Sequence, residues 1–271
     1  MNFRCDFASD LFGGNKKQGI NRKLYEGDYG VRREDIVVKS NFEGISKGRY
    51  VTVTRKNYFS QNAEERRYFI RSLARAITSV IKSHIKNRRG VVLVAGLGNG
   101  YMTSDALGKM ASEKIIVTRG SGLSDSNEIC AFSVGVSGVT GIESYEVVKG
   151  LVSQINPILL ICIDALCAFN EERIGKVYQI TDTGIVAGSG TERPSSVKLN
   201  KEELKIPVLA IGVPLVVSAK RIIAEACGEN EIKIDEIYND MYVTPRNIDA
   251  VVEECAEIVS SALNLSLIGK G

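Results

Sequence analysis

Histidine is nearly missing from this sequence, since His84 is the only one in 271 residues. Serine and cysteine nucleophiles usually need a histidine base, and a catalytic zinc usually takes histidine ligands. The residues around His84 follow a helical pattern, with Ile77, Ile81 and Ile85 on one apolar stripe. We therefore interpret His84 as a packed or surface helix residue. The sequence argues against serine, cysteine and zinc chemistry.

Cysteine motifs, long apolar runs and a strong net charge are also missing. The six cysteines include no pair separated by two residues, which excludes the usual zinc and dithiol motifs and predicts a reducing compartment. Arg4, Asp6 and Asp10 interrupt the start of the chain, and no apolar run approaches the roughly 18 residues of a membrane span. The net charge of +3 is spread over both halves. We expect a cytoplasmic protein without membrane or nucleic-acid partners.

The order of apolar and helical patterns predicts an α/β fold. Residues 1–35 show no sustained period and are interpreted as an irregular lead-in. The extended stretches 35–39 and 48–54 should pair, and a long helix should follow over 64–86. Further strands are predicted at 91–95, 115–118, 158–163, 177–181 and 208–213, with a last helix after Pro245. This alternation predicts an open, three-layer, mostly parallel sheet with helices on both faces, next to an N-terminal β-hairpin.

Three loops follow predicted strands and contain polar residues: 96–105, 163–166 and 181–190. In open α/β sheets the ligand crevice lies outside the carboxyl ends of the strands, so these loops are candidates for the site. The first loop, GLGNGYMTSD, has the glycines of a phosphate-binding turn. Its helix begins several residues after those glycines, however, and no P-loop lysine stands at the required place. We favour a tight active-site turn whose glycines serve the backbone.

Asp105 and Asp164 each begin an Asp-Ala-Leu triplet just beyond a predicted strand. Taken singly, each could be a helix N-cap, for which aspartate is a favoured residue. Taken together, the two carboxylates could face one crevice, and that geometry suits the activation of water. Two nearby carboxylates share one proton readily, because ionising the second beside the first is costly.

A series of motifs runs through the chain in order. They are KGRYVT at 47–52, GLGN at 96–99, TSDALG at 103–108, GVTGIE at 138–143, IDAL at 163–166, DTGI at 182–185, AIGVP at 210–214 and VTP at 243–245. In content and spacing this series resembles the germination protease family. The chain departs from the family pattern at Ser104, where proline is usual, at Phe169, where arginine is usual, and at 186–187, where His-Pro is usual.

The resemblance implies an atypical aspartic-type endopeptidase that degrades small acid-soluble, DNA-coating spore proteins at germination. It also implies a fold similar to the hydrogenase maturation proteases, synthesis as a zymogen, a homotetramer and a location in the spore core. The two aspartates proposed as catalytic in the family match Asp105 and Asp164 here. Neither a cofactor nor a metal is expected.

The start of the chain is similar to the sequence that the family cleaves. Family substrates are cut after an acidic residue in a stretch like Thr-Glu-Phe-Ala-Ser-Glu, and residues 5–10 here are CDFASD. This similarity predicts self-processing between Asp6 and Phe7. The chain would then consist of a propeptide, 1–6, and a single peptidase domain, 7–271.

Four further residues are candidates for substrate binding or oxyanion stabilisation: Asn99, Thr103, Arg119 and Asp182. Arg119 is the candidate for a basic subsite that would hold the acidic residue before the cleaved bond. Three other interpretations stay open. They are a nucleotide-dependent enzyme that uses GLGNG, a catalytically inactive binding homologue, and a metal-assisted peptidase, which the shortage of histidine disfavours.

Overall fold

The structure is a computed structural model that describes residues 19–41, 45–86, 89–122, 127–186, 197–228 and 234–269. The strands are β1 (Ile20–Glu26), β2 (Arg32–Val38), β3 (Gly48–Thr54), β4 (Val91–Gly96), β5 (Glu128–Ser133), β6 (Leu159–Ala168), β7 (Val177–Thr181), β8 (Ile185–Val186), β9 (Lys198–Leu199), β10 (Val208–Ser218) and β11 (Tyr242–Val243). The α-helices are α1 (Ala63–Ile85), α2 (Leu107–Glu113), α3 (Ser137–Thr140), α4 (Ser144–Ile155), α5 (Lys201–Leu204), α6 (Ala219–Ala226) and α7 (Ile248–Ile268).

Nine of the eleven described strands form one sheet in the order β1-β2-β3-β7-β10-β6-β4-β5, with β11 beside the end of β10. Strands β8 and β9 pair with each other in a separate two-stranded sheet. Strands β10, β6, β4 and β5 run parallel to one another. On the other side of β10, the sheet continues with β7, β3, β2 and β1, and each of these strands is antiparallel to the one before it. The predicted α/β class and the pairing of β2 with β3 are confirmed.

Helices cover both faces of the sheet. Helices α1, α2 and α7 pack on one face, against residues such as Val92 and Val94 of β4. Helices α4 and α5 pack on the other, against Leu93 and Ala95 of the same strand. Because successive side chains of a strand point to opposite faces, a strand buried on both faces must be apolar throughout. The run VVLVAG of β4 meets this requirement.

The long helix α1 follows from its sequence. The Asn62 side chain accepts hydrogen bonds from the backbone N–H groups of Glu64 and Glu65, which satisfies two of the free donors at the helix start. Leu73 and Ile77 lie on the buried stripe that packs on the sheet and on α7. The predicted helix over 64–86 is confirmed to within one residue at each end.

Two sequence predictions about the edges of the sheet were wrong. Residues 20–26 and 32–34, assigned to the irregular lead-in, form β1 and the first part of β2. Strand β1 is exposed along nearly its whole length, so it carries no apolar alternation for the sequence to show. Residues 115–118 form no strand, and the edge strand is β5. The N–H groups of Thr118 and Arg119 both donate to the Ile129 carbonyl, so this segment runs beside β5 without a regular ladder.

Strands β6 and β10 continue five residues further than their apolar cores predicted, to Ala168 and Ser218. Asp164 therefore lies within β6 and not beyond its end. The final helix α7 begins at Ile248, so Pro245 precedes its first turn and only its carbonyl joins the helix start, as the acceptor from Ile248.

The crossing of α2 over the sheet predicts a sharp difference between two glycines. A Cβ at Gly108 would lie 2.1 Å from the Leu97 carbonyl oxygen and 2.6 Å from that of Ile163, both backbone atoms that cannot move alone. We expect Gly108→Ala to lower the free energy of unfolding by about 1–3 kcal/mol or more. In contrast, Gly150→Ala in α4 meets nothing within 4 Å and should stabilise by roughly 0.5–1 kcal/mol. Urea unfolding followed by circular dichroism measures both, and equal effects would contradict the close crossing.

Candidate functional site

The loop after β4 stays attached to β6. The Leu97 N–H donates to the Ile163 carbonyl at 2.8 Å, which extends the β4–β6 ladder by one residue beyond Gly96. Ile163 is the residue immediately before Asp164. The loop that begins GLGN is therefore fixed beside Asp164 from its second residue.

The glycines of this loop serve close backbone contacts. A Cβ at Gly96 would lie 2.1 Å from the Gly108 carbonyl oxygen, and one at Gly98 would lie 2.3 Å from that of Asp105. Gly98 also has a φ of +94°, which side-chain-bearing residues rarely adopt. The Asn99 N–H, which a phosphate-binding turn would offer to its ligand, donates instead to Asp105. These contacts support the active-site-turn interpretation of GLGNG over the nucleotide-binding one.

Asp105 ends a short 3-10 turn, Thr103–Asp105, that leads into α2. Its Oδ2 accepts the Asn99 N–H at 2.6 Å. Burial raises the pKa of the Asp105 carboxyl, and the Asn99 hydrogen bond only partly opposes that rise. The N-cap position of α2 belongs to Ala106, which has no side-chain cap. The Asp105 side chain therefore caps no helix and is held at the loop instead.

Asp164 lies in the middle of β6, paired in register with Gly212 of β10. It is only 6% exposed, and its Oδ1 accepts the Ala165 N–H at 3.0 Å. A residue in the middle of a strand is not a helix cap, so the capping interpretation is wrong for Asp164 as well. Burial and the nearby Asp164 charge both raise the pKa of the Cys162 thiol, which lies two residues away on the same face of β6.

The two aspartates lie near the level at which β4 ends. The turn that carries Asp105 contacts both β6 and β10, the two strands that meet at Asp164 and Gly212. Two hydrogen bonds fix the loop between them, from the Asn99 N–H to Asp105 and from the Leu97 N–H to the carbonyl of Ile163, the residue before Asp164. The structure thus places Asp105 in the loop after β4 and Asp164 on the neighbouring strand β6, at the level where β4 ends.

Asn99 and Thr103 lie in the same loop as Asp105. The Asn99 Oδ1 accepts the Tyr101 N–H at 3.0 Å, and the Met102 N–H donates to the Asn99 carbonyl. Thr103 is exposed at the start of the 3-10 turn. Both predicted residues are therefore close to Asp105, and Asn99 shapes the loop through its side chain as well as its backbone.

Arg119 lies away from the aspartates. Its N–H bonds to β5, the outermost strand of the parallel group, which is separated from β6 by β4. Its side chain approaches Cys130 of β5, where burial raises the pKa of the thiol and the Arg119 charge opposes that rise. The structure does not bring Arg119 together with Asp105.

Asp182 also lies away from the pair, at the end of β7. Because β7 is antiparallel to β10 and Thr181 pairs with Ala210, the chain leaves β7 near the amino end of the parallel strands. Asp182 Oδ2 is 3.0 Å from His84 Nε2, and its Oδ1 accepts the Arg49 N–H at 2.7 Å. Burial alone would raise the pKa of Asp182, but the His84 and Arg49 hydrogen bonds lower it. Sequence reasoning missed this pairing of the single histidine, since His84 and Asp182 are far apart in the chain.

Cys162 and Cys167, the cysteines near Asp164, are buried. A nucleophilic cysteine needs an accessible thiolate, whereas burial raises the pKa of Cys162. Within the described ranges, no three His, Cys, Asp or Glu side chains cluster as a metal site, and no helix is long and apolar enough to cross a membrane. Asp6 and Phe7 lie outside the described residues.

Comparison with known proteins identifies the family. The profile of the germination protease family matches residues 20–228. The germination protease of Clostridium perfringens is 32% identical over 290 residues, which cover 92% of this chain and 87% of that protein. The germination protease of Bacillus subtilis is 34% identical over 214 residues, 76% of this chain and 58% of that protein. That of Caldanaerobacter subterraneus is 31% identical over 301 residues, 96% of this chain and 91% of that protein. The resemblance seen in the motifs is confirmed, and the chain belongs to the germination protease family.

Proposed function

We propose that this protein is an endopeptidase that starts the degradation of small acid-soluble, DNA-coating spore proteins, with Asp105 and Asp164 as its catalytic pair. Family membership supports a peptidase of spore germination. The observation that supports the pair is the hydrogen-bonded loop that fixes Asp105 beside the strand of Asp164. Both carboxyls are largely withdrawn from water, and neither caps a helix.

In the proposed mechanism the two carboxyls differ in protonation. We assign the proton of the pair to Asp105, whose pKa burial raises. We assign the role of base to Asp164, which takes a proton from water as the water oxygen attacks the peptide carbonyl carbon. Asp105 then gives its proton to the leaving amine as the C–N bond breaks. No covalent intermediate, cofactor or metal takes part.

Stabilisation of the developing oxyanion is assigned to the same loop. The Asn99 N–H already donates to Asp105, so the free donor that we assign is the exposed Thr103 hydroxyl, with the Asn99 side-chain amide beside it. Asp182, held by His84 and Arg49, is assigned a structural role in place of substrate binding. Arg119, which lies beside the outer strand β5, is not assigned to the basic subsite.

The wider setting rests on the family resemblance. We propose a zymogen that cleaves itself between Asp6 and Phe7, which leaves residues 7–271 as one peptidase domain. The active form would be a homotetramer in the cytoplasm of the spore core. Incubation of the purified protein with a small acid-soluble spore protein, with and without chelator and nucleotide, tests the activity and separates it from metal- and nucleotide-dependent alternatives.

Removal of either carboxyl should abolish cleavage. Asp105→Asn and Asp164→Asn keep the side-chain volume but cannot exchange a proton, so we expect kcat to fall by about 10²- to 10⁴-fold. The measurement is single-substrate kinetics on a spore-protein peptide, with circular dichroism to confirm the fold. Asp240→Asn, an exposed aspartate away from the loop, is the matched control and should keep full activity. Near-normal turnover by a folded Asp105→Asn or Asp164→Asn variant would remove that residue from the mechanism.

The raised pKa of Asp105 predicts an alkaline limit to activity. Since the proposed acid must be protonated, kcat/KM should fall by about tenfold per pH unit once the pH exceeds the pKa of Asp105. A pH profile of kcat/KM measures this fall at alkaline pH, and circular dichroism at each pH shows whether the protein stays folded. A rate that instead rises through alkaline pH would indicate a thiolate or another base as the essential group.

Self-processing should remove six residues from the start of the chain. The substrate-like stretch 5–10 lies at a terminus, where cleavage requires little unpacking. We expect aged, active protein to begin at Phe7, and we expect an Asp164→Asn variant to retain Met1. Lower pH should speed the step, because it favours a protonated carboxyl in the pair. Amino-terminal sequencing decides the outcome, and a fully active protein that keeps residues 1–6 indefinitely would refute the zymogen proposal.

A further inference from the structure

Two exposed apolar side chains lie directly beside Asp105. Tyr101 is 86% exposed and Met102 is 56% exposed, although both belong to the loop that holds the candidate acid. Large apolar side chains on a surface are informative when they sit at the rim of a site, where they offer contact area to a ligand. They stand four and three residues before Asp105, and the Asp105 N–H donates to the Met102 carbonyl, so they belong to the same short turn as the candidate acid.

The backbone that presents Tyr101 is held firmly. The Tyr101 N–H donates to the Asn99 side chain, the Met102 N–H to the Asn99 carbonyl, and the Asp105 N–H to the Met102 carbonyl. Each of these bonds closes a short turn. The exposure of the Tyr101 ring is therefore a feature of a well-bonded loop, and a ring presented in this way binds a partner at little cost in conformational entropy.

Lys109 supplies a cation at the same rim. It lies one helical turn after Asp105, and its stem packs on Gly100, where an added Cβ would meet Lys109 Cδ at 2.4 Å. Its Nζ lies 5.9 Å from the centroid of the Tyr101 ring, within the range of a cation–π contact. Lys109 has no acidic side chain within ion-pair distance among the described residues. Its ammonium group is thus positioned by the loop and available to an anion.

We propose that Lys109 and Tyr101 form the subsite that binds the acidic side chain on the amino side of the cleaved peptide bond. This inference rests on the proposed peptidase function. A carboxylate side chain fits this subsite because it complements the charge of the positioned ammonium group. The chain's own residues 5–10 offer such a side chain, since Asp6 precedes the aromatic Phe7. Lys109 takes the role that the sequence suggested for Arg119, which the structure places beside the outer strand β5.

The test is a double-mutant cycle on binding. The first probe is a synthetic peptide of residues 3–12, FRCDFASDLF, and the second is the same peptide with the Asp6→Asn substitution. Both are titrated, under reducing conditions, into the full-length Asp105→Asn variant, so that binding is measured without turnover. We expect Lys109→Met to weaken binding of the unsubstituted peptide by about 3- to 5-fold, as for a partly exposed ion pair, with little effect on the Asp6→Asn peptide. The difference should shrink at high salt.

The chain offers a matched control. Lys149 lies 5.3 Å from the centroid of the Tyr145 ring in α4, so it is a lysine–tyrosine pair of the same kind on another surface. Lys149→Met should leave the preference for the unsubstituted peptide over the Asp6→Asn peptide unchanged. Lys109→Arg should retain most of that preference, because it keeps the charge. A preference that is the same in Lys109→Met as in its parent overturns the subsite.

Cleavage of the same peptides by protein that retains Asp105 separates this proposal from the proposed function. If the wild-type protein cleaves the unsubstituted peptide and Lys109→Met lowers kcat/KM for it selectively, both proposals are supported. If no peptide is cleaved but the binding preference depends on Lys109, the subsite stands and the peptidase assignment fails. If cleavage occurs with a preference that Lys109→Met does not alter, the peptidase assignment stands and the subsite fails.

Discussion

The close backbone crossing of Gly96 with Gly108 is the contact on which the site depends. It lets α2 lie directly on the end of β4 and the middle of β6, since no side chain separates the two backbones. The 3-10 turn before α2 is thereby held against β6 and β10, and Asp105 with it. The glycines that make GLGNG look like a phosphate-binding turn are thus explained by packing. The glycines of GLGNG allow two backbones to approach closely. Such a close approach occurs in proteins of several functions and does not by itself indicate a phosphate site.

The polar residues near the end of β7 hold the strands and a helix together. Asp182 receives the His84 ring and the Arg49 N–H, and so ties α1 and β3 to the end of β7. Arg49 also bonds to Asp35 of β2. His84 and Asp182 therefore join the antiparallel strands to helix α1. The single histidine of the chain has a structural contact in this arrangement.

The sequence predicted the elements whose buried side chains follow a clear pattern. Strand β7 was predicted at its observed bounds, and α1 to within a residue, because their apolar periods are complete. Strand β1 could not be predicted, since it is held by pairing with β2 and by an ion pair from Arg22 to Glu34 while its side chains stay exposed. The candidate pair was found from sequence, but the placement of Arg119 and Asp182 depends on strand order, which no local pattern contains.

The environments of Asp105, the proposed proton donor, and Asp182 shift the pKa values of the two carboxyls in opposite directions. Both are partly buried aspartates that follow a strand, and in both burial favours the neutral form. Asp182 is compensated by His84 and a backbone N–H, so its pKa falls. Asp105 receives one N–H, from Asn99, and its pKa rises. Asp105 is held in place while its charge is incompletely compensated, and the resulting rise in its pKa is the electrostatic reason that we propose it as the proton donor.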